Sequence, residues 1–349
     1  MLSTSDRPLW EAYDVALLDL DGVVYIGSDA VPQAPEHLDA AAAAGMRLAY
    51  VTNNAARPPA EVAEHLRELG IPARAEDVVT SAQAAARLLA DDLEPGSAVY
   101  VIGGRGMFEA LAERDLRPVQ SPDDDPVAVV SGYHRDVTWG VVTDGAILVG
   151  AGLPWVASNT DLSVPTARGR GPGNGVLVDA VARFTGRHPV VAGKPRPPLF
   201  EETVRRVGGD RPLVVGDRLD TDIEGARAAG YDSLLVLTGV TDLEVLVTAE
   251  ERLRPTYLSA DLGGLGVAHP APERNGTGWT CGGWTAAVDA GVLGVDGEGA
   301  VDAWWRVVAA AAWEHLDTTG GCVDVDALTV PSSVGARRDG ADGTGRSKA

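Results

Sequence analysis

Lysine is almost missing from this chain. Of 29 basic residues only Lys194 and Lys348 are lysine, so arginine fills nearly every position where a cation merely has to sit on a surface. Lys348 falls in a polar tail. Lys194 therefore marks a place where a compact ammonium is required, one that arginine's planar fork does not imitate. Cysteine is nearly as scarce. Cys281 and Cys322 lie far apart in the last quarter of the chain, which excludes a disulfide framework and reads as two free thiols in a reducing compartment. Positive charge is short as well: the formal charge of −21 excludes nucleic acid and anionic membranes as partners, because both need a basic footprint. An acidic protein that binds an anion must do so at a local site. No apolar run approaches the ~20 residues of a membrane span. Met1 to Trp10 lacks the basic and apolar regions of a signal peptide, so the expected location is the cytoplasm.

What the chain does have is material for more than one domain, 349 residues with a hydrophobic fraction of 45%. Val15 to Leu18 reads as a buried strand that delivers Asp19 and Asp21, then Gly22. Two carboxylates at i and i+2 repel each other, so something cationic belongs beside them. Apolar strands and helices then alternate: a helix from Pro35 to Ala44, a strand from Arg47 to Val51 ending in Thr52-Asn53-Asn54, a helix from Pro59 to Leu69, and a strand at Val78-Val79. The alternation predicts a doubly wound parallel sheet. A second α/β unit follows, with strands at 97–102, 127–131 and 153–158 and a helix from Gly175 to Thr185. After Val190 to Gly193 comes Lys194, then a helix from Pro198 to Val207. A strand at Leu213 to Val215 opens into Gly216-Asp217-Arg218-Leu219-Asp220-Thr221-Asp222, a helix to Ala229, and a last strand at Ser233 to Leu237. Beyond about residue 262 the composition shifts, and five of eight tryptophans appear there. Val301 to His315 carries an amphipathic helical pattern.

In a parallel doubly wound sheet the loops holding Asp19/Asp21, Thr52/Asn53, Lys194 and Asp217/Asp222 share the carboxyl edge, where ligands bind. Several oxygen donors without nitrogen or sulfur select a hard cation, Mg²⁺ before Zn²⁺. Such a metal offsets the repulsion among Asp19, Asp21 and Asp217. A metal, an ammonium, a hydroxyl and backbone amides together make an anion clamp, which points to a phosphoryl group, with a carboxylate available as nucleophile. Thr52 and Asn53 also suit a helix cap, and Asp222 a helix N-terminal charge. In the second α/β unit, Gly132 to Arg135 and Ser158 to Asp161 follow strands and are candidates to face the substrate. Arg168 and Arg170 precede a glycine-rich stretch that reads either as an anion loop or as a surface loop.

These four stretches, Asp-Leu-Asp-Gly-Val, Thr52-Asn53-Asn54, Lys194 and Gly-Asp-Arg-Leu-Asp-Thr-Asp, resemble in order the four motifs of the haloacid-dehalogenase superfamily over residues 13 to about 262. The resemblance implies that Asp19 is the nucleophile, Asp21 the general acid/base and Lys194 the charge-neutralising residue. It implies further that Gly22, Thr52, Asn53, Asn159 and Asp161 meet phosphate or substrate. Asp19, the Asp21 main-chain carbonyl and Asp217 would hold Mg²⁺, with Asp222 behind them. Only about thirty residues separate Asp21 from Thr52, whereas 140 separate Asn54 from Lys194. The α/β insertion therefore lies between the second and third motifs, as in the subgroup of nitrophenyl, nucleotide and phosphoglycolate or glycerol-phosphate phosphatases. Expected domains are a core of 1–83 and 190–262, a cap of 84–189, a tryptophan-rich extension of 263–334 and a disordered tail of 335–349. The expected partner is a small phosphomonoester, glycerol 3-phosphate first. Nucleotides, phosphoglycolate, pyridoxal phosphate and sugar phosphates are the alternatives, with a homodimer through the cap. A non-catalytic binding module is the reading from another class.

Overall fold

A computed structural model describes residues 1–166 and 168–331. It divides into two compact units, one ending at Ala271 and the other beginning at Pro272. The disordered tail expected at 335–349 lies outside the described residues.

The first unit is built on a six-stranded parallel sheet. Its order is Tyr257–Ser259, Asp232–Val236, Pro212–Gly216, Val15–Leu18, Arg47–Thr52, Val78–Thr80. Val15–Leu18 is central, and all four of its residues are buried because helices cover both faces. Leu18 pairs with Val215 on one side and Tyr50 on the other, which puts the residues after each strand at one edge. A sixth strand was not expected after Leu237. Tyr257–Ser259 is three residues long, follows Pro255, and is too short to show a period.

The inserted α/β cap carries a parallel sheet of its own, in the order Val190–Val191, Trp155–Ala157, Ala128–Ser131, Ala98–Ile102, Arg117–Val119. Val190–Val191 was assigned to the core from sequence. It pairs instead with Val156 and Ala157, so the cap sheet reaches to within three residues of Lys194. The helix Trp139–Gly150 was also unforeseen, because its glycines and β-branched residues argue against helix. Packing overrides that preference: a Cβ at Gly145 would lie 2.4 Å from Ile102 Cδ1, so glycine lets this helix settle on the cap sheet without displacing that side chain. The buried Glu202, with Arg114, Arg205 and Arg206 around it, ties the cap to the core helix Pro198–Val207. Glu202 accepts from Arg114 at 2.6 Å and from Arg206 at 2.5 Å.

The extension begins later than residue 263. The turn Leu262–Gly266 packs on the helix Ala34–Ala43, and His269 bridges to Ser5, so these residues belong to the first unit. The second unit is a four-stranded antiparallel meander, Glu273–Asn275, Gly278–Cys281, Trp284–Asp289 and Val292–Gly297, followed by the helix Val301–Thr319. Composition hid the meander. Gly282-Gly283 and Ala290-Gly291 both hold positive φ, the tight-hairpin geometry that makes the stretch look like loop.

Candidate active site

Asp19 leaves the central strand with its N–H bonded to the Val215 carbonyl at 2.8 Å. Its carboxylate Oδ1 accepts from Lys194 Nζ at 2.6 Å, and Asp222 Oδ1 accepts from the same ammonium at 2.7 Å. Lys194 is 3% exposed. Burial alone would pull its pKa down, but the two carboxylates outweigh it and hold the group charged. The bond from Lys194 to Pro195 is cis.

Asp19, Asp217 and Asp222 each offer a carboxylate oxygen within 4.8 Å of the others. Asp217 is fully buried. Its Oδ2 accepts from the Val240 N–H at 2.6 Å, while Oδ1 has no hydrogen-bond partner. Burial, then the charges of Asp222 and Asp19, push its pKa up to about 7. An orphaned buried carboxylate oxygen beside two further carboxylates is the environment of a cation ligand, and the all-oxygen donor set fits Mg²⁺. Two glycines make room for it. A Cβ at Gly22, where φ is +86°, or at Gly239 would strike the Asp217 carboxylate. Asp222 has both oxygens engaged, Oδ1 by Lys194 and Oδ2 by the Arg218 N–H at 3.2 Å. Its burial pushes its pKa up, and the Lys194 ammonium works against that.

Asp21 is exposed to solvent, yet the surrounding protein, and next the Asp19 charge, push its pKa up to about 6. Lys194, Arg57 and a hydrogen bond with Tyr25 pull the other way.

Thr52 is buried at the end of its strand, with Oγ1 accepting from the Asn54 N–H at 3.1 Å. The side chain of Asn53 faces inward. Its Oδ1 accepts from the Lys194 N–H at 2.8 Å, and its Nδ2 donates to the Lys194 carbonyl at 3.1 Å and to both Asp161 oxygens at 3.2 Å. Asn159 is likewise spent on the loops, donating to the Asn53 carbonyl at 2.7 Å and accepting from the Asp161 N–H at 3.1 Å. The side chains of Asn53, Asn159 and Asp161, expected to meet phosphate or substrate, here bond to the protein itself. The helix Asn174–Thr185 has its N-terminal Gly175 N–H on the Asp161 carbonyl at 2.9 Å, so that donor is taken. Arg168 and Arg170 lie exposed in and beside the strand Gly169–Pro172 of an antiparallel hairpin.

Sequence reasoning missed Arg57, whose charge reaches Asp21, and the Thr238-Gly239-Val240-Thr241 loop. Thr238 Oγ1 donates to the Gly22 carbonyl at 2.5 Å, and Thr241 Oγ1 to the Asp217 carbonyl at 2.6 Å. The signal for that loop was present: it follows the strand Asp232–Val236, so it ends at the same edge as the aspartates.

Residues 16–117 match the haloacid dehalogenase-like hydrolases, and residues 191–265 match the related HAD-hydrolase-like group. The chain is 43% identical over 321 residues to D-glycerol 3-phosphate phosphatase of Mycobacterium tuberculosis, covering 88% of each chain. It belongs to the haloacid dehalogenase-like hydrolase family. Acid sugar phosphatase of Staphylococcus aureus is 37% identical over 252 residues, 72% of this chain and 95% of that one. Among solved structures, glycerol phosphate phosphatase from M. tuberculosis in complex with magnesium matches with a TM-score of 0.80 at 43% identity, covering 88% of this chain and 92% of that one. The cap between Asn54 and Lys194 is thus part of a haloacid dehalogenase-like hydrolase fold.

Proposed function

We propose that the protein is a Mg²⁺-dependent phosphomonoester hydrolase working through an aspartyl-phosphate on Asp19. The observation that carries this reading is the buried Lys194 ammonium, 2.6 Å from Asp19, beside an Asp217 oxygen that has no partner. Asp19, Asp217 and the Asp21 carbonyl would hold Mg²⁺, which supplies positive charge against the phosphoryl oxygens. Asp19 attacks phosphorus in line with the ester bond. As that bond breaks, its electron pair goes to the alcohol oxygen, which takes a proton from Asp21. The raised pKa of Asp21 supports this role. Asp21 then accepts a proton from water, the water oxygen attacks phosphorus, and the bond to Asp19 breaks to restore the carboxylate. Lys194 holds Asp19 in place and neutralises charge, with Thr52 and the Gly22 main chain facing the phosphate. Asp222 anchors the ammonium from behind.

Glycerol 3-phosphate is the substrate best supported. The alignment to the M. tuberculosis enzyme covers 88% of this chain and so must continue beyond Ala271 into the second unit, whereas that to the acid sugar phosphatase covers 72%. Phosphate release from glycerol 3-phosphate, phosphoglycolate, pyridoxal phosphate, sugar phosphates and nucleotides, with and without Mg²⁺, tests both parts. Highest turnover on glycerol 3-phosphate is expected. Equal, feeble turnover on all would defeat the substrate, and no release with Mg²⁺ present would defeat the reaction.

A homodimer through the cap is supported by its uncovered apolar side chains. Trp139 is 76% exposed and Ile147, on the same helix face, 56%. Sedimentation should give a dimer that Trp139→Arg weakens; a monomer at all concentrations would remove it. Cys281 and Cys322 form no disulfide, which accords with a reducing cytoplasm.

A further inference from the structure

We infer that Asp161 is a positioning residue, through which the cap loop fixes the backbone that presents Lys194. The contacts form one chain. Both Asp161 oxygens lie 3.2 Å from Asn53 Nδ2, and that amide closes a two-bond ring with the Lys194 backbone, Nδ2 to the carbonyl at 3.1 Å and the N–H to Oδ1 at 2.8 Å. An asparagine amide can be turned over, exchanging donor and acceptor. A carboxylate has only acceptors, so Asp161 admits one orientation alone, the one that suits the Lys194 N–H and carbonyl together.

Around this ring the backbone has no slack. The Asn53 carbonyl accepts from Ser81 Oγ at 2.5 Å and from Asn159 Nδ2 at 2.7 Å. A Cβ at Gly193 would lie 2.5 Å from both Asn53 Oδ1 and the Ser158 carbonyl. Asp161 itself is anchored by its N–H on Asn159 Oδ1 and by its carbonyl on the Gly175 N–H. Burial, and less strongly the Asp19 charge, act against the ionised form of this carboxylate, while the Asn53 amide and then the Lys194 and Arg218 charges favour it. Its contacts give it a structural task that an uncharged acceptor would perform less selectively. On this inference the seated cap loop is what holds Lys194 2.6 Å from Asp19.

The kinetic arm of the test rests on the phosphatase reading, and a second arm does not. In Asp161→Ala, kcat should fall by about ten- to a hundredfold, by the same factor for glycerol 3-phosphate and 4-nitrophenyl phosphate, with little change in KM, because misplacement of a reacting group by ~1 Å has effects of that size. Asp161→Asn, which keeps an acceptor, should regain part of the loss. Independently, acetic anhydride labelling of Lys194, followed by mass spectrometry, should be severalfold faster in Asp161→Ala than in the parent and intermediate in Asp161→Asn. If the alanine variant does not fold, the asparagine variant carries the comparison. Unchanged labelling would overturn the inference, as would a loss seen in KM for one substrate only, which is the mark of direct contact with the leaving alcohol. Faster labelling with unaltered kcat would overturn it too. A parent protein that releases no phosphate would sink the phosphatase reading, and labelling alone would then decide the role of Asp161.

Discussion

The Lys194 ammonium donates to Asp19 across 2.6 Å although 175 positions separate them in the chain. It donates equally to Asp222 behind it, so a single cation serves one carboxylate that faces the cleft and one that does not. That asymmetry is what replacements at the site should reveal.

Asp19→Asn should abolish phosphate release while leaving the circular dichroism spectrum unchanged. Without metal its melting temperature should equal or exceed the parent's, since one of three crowded negative charges is gone. Full turnover in the variant would sink the covalent route.

Lys194→Met should be far more damaging to the fold. Removing one partner from a buried ion pair costs about 3–5 kcal/mol, because the charge left behind has no solvent. Urea titration at neutral pH should register that loss. Part of it should return near pH 5, where Asp222, its pKa already pushed upward by burial, takes a proton.

Magnesium should stabilise the protein more at alkaline than at acid pH. The folded-state pKa of Asp217 is about 7, against about 3.9 in an unfolded chain. A raised carboxylate stabilises the metal-free fold fully below the unfolded value, and this contribution is lost as pH climbs from about 4 through 7. The metal competes with that same proton. The rise in melting temperature on adding saturating Mg²⁺ should therefore grow between about pH 5.5 and pH 8; a rise independent of pH would remove Asp217 from the ligand set.

Gly239→Ala should raise the Mg²⁺ concentration needed for half-maximal activity by at least about tenfold, the order of change expected when a metal ligand's support is disturbed. The added methyl would occupy the space of the Asp217 carboxylate. Gly22→Ala adds a strained φ of +86° to the same collision and should be worse. Metal-dependent rate curves for both variants test the ordering.

Glu202→Ala should lower the melting temperature without altering KM. Arg114, Arg205 and Arg206 would lose a buried common acceptor that bonds to none of the site residues.

The edge that gathers the candidate site was legible because Asp19, Thr52, Lys194 and Asp217 each end an apolar stretch or follow one closely, and strand ends in a parallel sheet converge. What escaped notice was set by packing rather than pattern. Trp139–Gly150 is a helix against its own propensity, held by the fit of Gly145 over Ile102. Asn53 and Asp161 are 108 positions apart, and nothing local to either announces that they meet. The meander after Pro272 disguised itself through its turns, whose glycines are the residues that tight hairpins demand.

Val190–Val191 has a further consequence. This strand closes the cap sheet, and the chain passes from it through Ala192 and Gly193 directly to Lys194. The ammonium opposite Asp19 is thus mounted on the last span of the inserted region. A chimera that exchanges one cap for another, hoping to import a new preference for the alcohol, would also be exchanging the mount of the lysine. Grafts cut at 84 and 189 leave that strand without its neighbour at Val156–Ala157; a graft that is to stay active has to carry the strand along and rejoin the host beyond it, at Gly193.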